Sequence, residues 1–259
     1  MATSAAATQT LRVREGGIVL ESSARRSLLK AAALTPAAAV IPMRLLSDAT
    51  TPAQAYAPSY AEPASAVFFT LAETAFIDAA VARIVPSDEL GPGAKEAGAT
   101  TFIDRQLAGP YGSAETWYMD GPWQQGEKEQ GYQLKLTPAQ LYRLAIREID
   151  DYVRKTHAGK SFAQIDAAAQ DDLLHRLEKD DVKLPNAPAS TFMTFLVSNT
   201  VEGLLADPVY GGNRDFIGWK LIGFPGPRYN YVAEIDQYGK AYDMPFVSIA
   251  GRDTGVSEG

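Results

Sequence analysis

The sequence predicts an all-α protein, a single helical domain with long irregular loops behind a disordered leader. Three observations point there. Apolar residues recur at three- and four-residue spacings in five stretches between residues 70 and 205. Two of those stretches open on a hydroxyl residue followed three positions later by Glu or Gln, the pattern that caps a helix start. No alternation of apolar and polar residues lasts more than a few positions, so no half-buried sheet is expected.

The leader comes first. Arg25 and Arg26 precede Ser27, Leu28, Leu29 and Lys30, and a short Ala-rich apolar run follows to Ile41, broken by Pro36. This is the layout of a twin-arginine export signal, and the run is too short to span a hydrocarbon core of ~30 Å. Such a signal implies the twin-arginine translocase as a partner and a chain that crosses already folded. Residues 1–55 are read as signal and leader; cleavage after Ala55 fits the small-x-small triplet Ala53-Gln54-Ala55, and other small-residue triplets compete with it. Residues 56–67 form an Ala/Pro-rich tether with little capacity for a core.

The body begins near Phe68. Thr70 and Glu73 cap a first helix whose Leu71, Ala75, Phe76, Ala79, Ala80 and Ile84 share a face until Pro86 stops it. Gly91, Pro92 and Gly93 mark the loop that follows. A second helix is expected over 96–108, burying Phe102, Ile103 and Leu107 and ending at Gly109-Pro110. Residues 110–136 hold Tyr111, Trp117, Tyr118, Trp123 and Tyr132 without a clean period. The loop is longer than compact domains usually carry without a use. Thr137, Pro138 and Gln140 then start a helix to about Thr156, burying Leu141, Leu144, Ala145, Ile149 and Tyr152, with Gly159 beyond its end. Another helix covers 166–179 with Leu173, Leu174 and Leu177 inward. Residues 190–205, with Phe192, Met193, Phe195, Leu196, Val201, Leu204 and Leu205, leave little polar face, which predicts a central helix.

Composition excludes several chemistries. The chain has 259 residues and a formal charge of −7, which gives no basic footprint for nucleic acid. Cysteine is absent, so a disulfide, a covalent c-type haem, an iron–sulfur cluster or a lipid-anchored cysteine has no ligand here. His157 and His175 are the only histidines, which makes a zinc, copper or iron site improbable. Neither Gly-x-Gly-x-x-Gly after a strand nor a P-loop occurs, and no Gly-x-Ser-x-Gly elbow is present. The adjacent acids Asp150-Asp151, Asp171-Asp172 and Asp180-Asp181 lack calcium-loop spacing and read as a solvated face.

The densest motif is Ala206-Asp207-Pro208-Val209-Tyr210-Gly211-Gly212-Asn213, followed by Trp219 and Gly223-Phe224-Pro225-Gly226. Asp207-Pro208 ends the preceding helix, and Gly211, Gly212 and Asn213 suit a tight reversal with positive φ. A short helix over 215–221 then presents Phe216 and Trp219. The two rigid turns either pin these aromatics into the core or form a preformed docking surface of Tyr210, Asn213, Trp219 and Phe224.

At these residues the chain resembles the gluconate 2-dehydrogenase subunit 3 family, the small subunit of membrane-bound flavin-dependent sugar and sugar-acid dehydrogenases. The resemblance rests on Arg25-Arg26, Ile84-Val85-Pro86 before the Gly91-to-Ala94 loop, Asp207-to-Asn213, and Trp219 leading to Gly226, in that order. It spans residues 68–228, with 229–259 as a C-terminal extension. The resemblance implies a non-catalytic accessory subunit that stabilises a large subunit and supplies its export signal. FAD sits on that large subunit and c-type haem on a cytochrome subunit. It implies no catalytic, cofactor-binding or metal-binding residue on this chain. The extension, with Tyr229, Tyr231, Tyr238 and Tyr242, and the 110–136 loop depart from the simplest family pattern.

Two other readings stay open. A stand-alone exported protein would close its aromatic loop around a sugar or quinone in a pocket of about 300–1,000 Å³. A docking subunit would instead leave an apolar patch of several hundred Å² or more on its surface. A pure export chaperone would make only a small, wet interface with its passenger.

Overall fold

The computed structural model describes residues 66–251, apart from 125, 128, 129, 241 and 243. Arg25, Arg26, the Ala55 cleavage position and residues 56–65 of the tether lie outside them. Among the described residues the chain is helical, without a β-strand. In order come α1 (Leu71–Ile84), α2 (Ala99–Ala108), α3 (Pro110–Ser113), α4 (Pro138–Thr156), α5 (Ala167–Glu178), α6 (Ala189–Leu205) and α7 (Ile217–Ile222).

The helix starts follow from local hydrogen bonding. The Thr70 hydroxyl accepts from the Glu73 N–H at 3.3 Å, while the Glu73 carboxylate accepts from the Thr70 N–H at 2.8 Å. Thr137 and Gln140 repeat that reciprocal pair at the head of α4, with Pro138 in the first position. Asp166 caps α5 by accepting from the Ala169 N–H at 3.0 Å. Each pair satisfies donors that the first turn of a helix leaves without partners. The second helix starts three residues later than its apolar period implies. Gly98, with φ of 79°, holds the entry to α2 in the left-handed region, and the residues before it form turns.

The core forms around α6, which packs against α1, α2, α4 and α5. Phe76, Phe162, Phe192 and Tyr142 are fully buried there, with ring centroids 4.6 Å apart for Phe76 and Phe162 and 5.3 Å for Tyr142 and Phe192. Gly203 is where α6 meets α2 most closely. A Cβ at that position would lie 3.0 Å from the Ala99 Cα and 3.1 Å from the Phe102 Cβ.

Three apolar assignments change. Leu71 is 91% exposed and Ala75 is exposed as well. α1 instead buries Phe76, Ile77, Ala80, Val81 and Ile84. Leu71 precedes Ile77 by six residues, which places it about 120° round a helix of 3.6 residues per turn. Val201 on α6 also faces outward, although α6 is central as expected.

The acidic pairs do not form a simple solvated face. The first member of each has a specific partner. Asp150, buried, accepts from the Phe162 N–H at 2.8 Å and from Arg154 at 3.3 Å. Asp171 holds Arg83 through two bonds of 2.8 Å, and Asp180 accepts from the N–H and hydroxyl of Ser190. The second members, Asp151, Asp172 and Asp181, are exposed as expected. Sequence alone does not separate the two members, because the partners lie on other elements.

Asp104 on α2 accepts the N–H groups of Val67, Phe68 and Phe69 at 2.7–2.9 Å and ties the entering chain to the bundle. Glu148 on α4 does the same for the turn before α6. It accepts from the N–H and side-chain amide of Asn186 and from the Ala187 N–H, at 2.7–3.0 Å. Burial works against its charge, but the Asn186 and Ala187 donors prevail and hold its carboxyl below the ordinary value of 4.5. A depressed native pKa means that Glu148 contributes stability above the unfolded value. That contribution is lost as pH falls through the native value. Glu148→Gln is therefore expected to be less stable by about 1–3 kcal/mol near pH 7 and to lose less on acidification below about pH 4 than the parent chain. Urea midpoints across that pH range check it.

Candidate functional site

The last carbonyls of a helix have no intrahelical partner, and α6 ends inside the protein. The motif after it satisfies them. The Ala206 N–H closes the last turn on the Glu202 carbonyl at 2.7 Å, and the Asn213 N–H donates to the Gly203 carbonyl at 2.8 Å. The Asn213 side-chain amide donates to the Ala206 carbonyl at 2.8 Å, and the Trp219 indole N–H to the Leu205 carbonyl at 2.7 Å. The Asn213 side-chain oxygen faces the other way and accepts from the N–H of Gly218 at 2.8 Å, capping the start of α7. One asparagine thus joins the end of one helix to the beginning of the next.

This reversal needs its glycines. Gly211 has φ of 98°, and a Cβ on Gly212 would fall 2.1 Å from the Gly203 carbonyl oxygen. Asn213 itself takes φ of 45°, which asparagine tolerates better than most residues. Asp215 and Phe216 also lie in the left-handed region, at φ of 55° and 58°. Packing over-determines Phe216, whose ring stacks on Trp219 at 5.5 Å and on Phe246 at 5.9 Å. Phe224 packs edge-on against Trp219 at 5.1 Å and completes an aromatic column.

The column separates the residues that the sequence groups as a docking surface. Asn213 is 0% exposed and Trp219 4%, so both act inside the protein as caps for α6. Tyr210 and Phe224 reach the surface, at 50% and 38%. The turns therefore pin some aromatics into the core and present others.

The segment after Gly226 contributes a feature that the sequence motif does not reveal. It returns to the motif as a strap. The Val247 N–H donates to the Pro225 carbonyl, and Arg228 donates to the Pro245 carbonyl at 2.6 Å. The Ser248 hydroxyl and the Ile249 N–H then donate to the Asp207 carboxylate at 2.6 and 2.8 Å. Asp207 thus both caps the turn at Val209 and anchors a segment 41 residues away. The signal for this anchor is faint: Phe246, Val247 and Ile249 form a short apolar run after a polar, tyrosine-rich stretch.

The aromatic loop divides in the same manner. Trp117 packs edge-on against Tyr111, Tyr132 and Phe195 at 5.9, 5.2 and 6.1 Å. Behind it, Asn199 on α6 donates to the hydroxyls of Tyr111 and Tyr142 at 3.1 and 2.9 Å. Burial pushes the Tyr142 hydroxyl well above its usual pKa and that of Tyr132 up to about 12, so both stay protonated. Tyr118 and Trp123 are exposed at the edge of a cleft of about 390 Å³.

The two histidines have structural partners. His175 Nδ1 lies 2.7 Å from the Asp171 carbonyl, and His157 ends α4 with Nδ1 2.8 Å from the Thr156 hydroxyl. Among the described residues no group of three or more His, Asp or Glu is placed to hold a metal ion. None of their helices is long and apolar enough to cross a membrane.

The family model for gluconate 2-dehydrogenase subunit 3 matches residues 72–226, more than half of the chain. The chain belongs to the gluconate 2-dehydrogenase subunit 3 family. No curated protein and no solved structure matches it. Membership gives it an accessory place in a multi-subunit, membrane-associated dehydrogenase. The span matched by the subunit 3 model runs from α1 to Gly226 and so includes the capped end of α6. The strap lies beyond it.

Asn213→Ala removes a donor and an acceptor from a buried site and places alanine in the left-handed region. It is expected to cost about 3 kcal/mol or more, whereas Phe224→Ala at the rim costs about 1 kcal/mol. Urea unfolding followed by circular dichroism distinguishes the two.

Proposed function

We propose that this subunit is non-catalytic, that it stabilises the flavin subunit of a periplasmic sugar or sugar-acid dehydrogenase of the gluconate type, and that it supplies the twin-arginine signal for the folded pair. In this reading FAD is held by the large subunit and c-type haem by a cytochrome subunit, and this chain reaches the membrane through them. The observation that carries it is the distribution of exposed large apolar side chains. Of the sixteen among the described residues, ten lie in about the last quarter of the described chain: Val209, Tyr210, Phe224 and seven more between Tyr229 and Ile249. A protein surface ordinarily scatters such residues singly, and their concentration in one stretch of the chain supports a docking face. Tyr210, on the turn that Asp207 caps, loses little conformational freedom on binding.

The chain, tagged at its C-terminus and purified from solubilised membranes of its native host, is expected to bring down a flavoprotein in near-equal amount, with flavin absorbance. The double variant Tyr210→Asp and Phe224→Asp should lower that flavin yield by about tenfold while the chain stays helical. Recovery of the chain alone and colourless would overturn the subunit role.

The export role has its own measurement. Arg25→Lys with Arg26→Lys should leave both this chain and the dehydrogenase in the cytoplasm, as read by fractionation and periplasmic dehydrogenase activity. Normal arrival of the dehydrogenase would disprove the escort role.

A further inference from the structure

We propose that the cleft beneath the aromatic loop is a binding site for a neutral carbohydrate. The inference goes beyond the subunit role and does not require the flavin partner.

The cleft has a fixed wall and a free rim. Trp117 and Tyr132 form the wall. Trp117 is wedged edge-on among three other rings, Tyr132 lies against Phe195 at 5.3 Å, and the Tyr132 hydroxyl donates to the Leu136 carbonyl. Two large rings are thus held in position before any ligand arrives, which lowers the entropic cost of binding. Tyr118, 82% exposed, and Trp123, 42% exposed, form the rim. Neither ring contributes to the core. At about 390 Å³ the space lies at the small end of ligand sites, the size of one or two sugar rings.

The polar lining selects the ligand class. Four of the ten lining residues are Asp120, Gln124, Gln130 and Gln133. A glutamine amide offers both a donor and an acceptor, and a sugar hydroxyl needs both. Two of these side chains are already oriented. Gln130 uses its side-chain oxygen to accept from the Glu127 N–H at 2.7 Å, and Gln133 uses its amide nitrogen to donate to the Gln130 carbonyl at 3.0 Å. Among the described residues this leaves the Gln130 amide nitrogen and the Gln133 side-chain oxygen for a ligand.

Charge narrows the class further. Among the described lining residues Asp120 is the single charged group, and no Lys, Arg or His accompanies it. Among the described lining residues, this lone carboxylate disfavours sugar acids and phosphates and accepts hydrogen bonds from neutral hydroxyls. A quinone head asks for a mostly apolar slot, whereas four of the ten described lining residues here are polar. A pyranose has an apolar C–H face to lay on an aromatic ring and a hydroxyl edge for the amides. The four rings and the amides fit that division. The subunit therefore carries its own contact for a neutral sugar or polyol, separate from the Tyr210 and Phe224 face.

The test titrates the full chain with D-glucose, D-fructose, D-sorbitol and maltose, and with D-gluconate and a short-chain ubiquinone for comparison. Tryptophan emission and saturation-transfer NMR are the readouts. At least one neutral compound is expected to bind saturably, with gluconate at least about tenfold weaker. Trp123→Ala and Tyr118→Ala, both at the exposed rim, should each weaken binding by about tenfold with unchanged circular dichroism and urea midpoint. Asp120→Asn should narrow the gap between gluconate and the neutral sugar. The proposal is overturned if none of the four binds, if gluconate or the quinone is preferred, or if Trp123→Ala binds as the parent chain does. These outcomes are independent of the membrane pull-down, because no partner takes part.

Discussion

The carbonyl end of α6 is the constraint on which the rest of the structure depends. A central helix that stops inside a protein leaves strong acceptors facing away from water, and leaving them bare would cost several kcal/mol. Here Asn213 and Trp219 answer three of those carbonyls from residues that follow within one tight reversal. Much else is subordinate to that reversal. Gly212 is required by its closeness to Gly203, and Gly203 by the closeness of α6 to α2. The left-handed backbone at Phe216 is held by the ring that Trp219 presents while its indole N–H caps the helix. The Asp207-to-Asn213 motif is, physically, a helix terminator.

Buried carboxylates do a similar task at the other helix boundaries. Asp104, Glu148, Asp150 and Asp207 each accept one or more backbone N–H groups from a segment further along or back in the chain and fix where a loop meets the bundle. A carboxylate is suited to this, since it accepts several donors at once and its charge strengthens each bond. Part of the negative charge that a solubility argument would place on the surface is therefore structural.

Much of the fold was legible because its signals are local. The capping pairs at Thr70 and Thr137 specify helix starts within four residues, and the apolar density of α6 specifies its central place. What was not legible depends on partners far along the chain. Leu71 has the right chemistry for the core but the wrong angle, and only the position of the α1 stripe decides that. Asp150 and Asp151 are identical in sequence terms, and only the loop carrying Phe162 separates them. In the candidate site, the sequence grouped Tyr210, Asn213, Trp219 and Phe224 as a docking surface. It did not reveal that two of them face α6 and two face solvent, because a turn residue and an interface residue have the same composition. The strap was illegible for the same reason as Asp150: Ser248 acquires its meaning from a carboxylate 41 positions earlier.

The strap divides the molecule into parts of unequal permanence. The helices around α6 are joined by many short-range contacts and a continuous apolar core, whereas residues 227–251 hold on through a few hydrogen bonds and the Phe246 ring. Closing such a long loop carries a larger entropic cost than closing a turn, so the strap is the last part to settle during folding and the first to detach in the native state. Amide hydrogens at Val247 and Ile249 are accordingly expected to exchange through a partial opening that leaves the bundle intact. During that opening Phe216 loses one of its stacked neighbours, and the aromatic column widens toward solvent. The bundle and its cover thus differ in how many contacts hold them, and Asp207 is the joint between them.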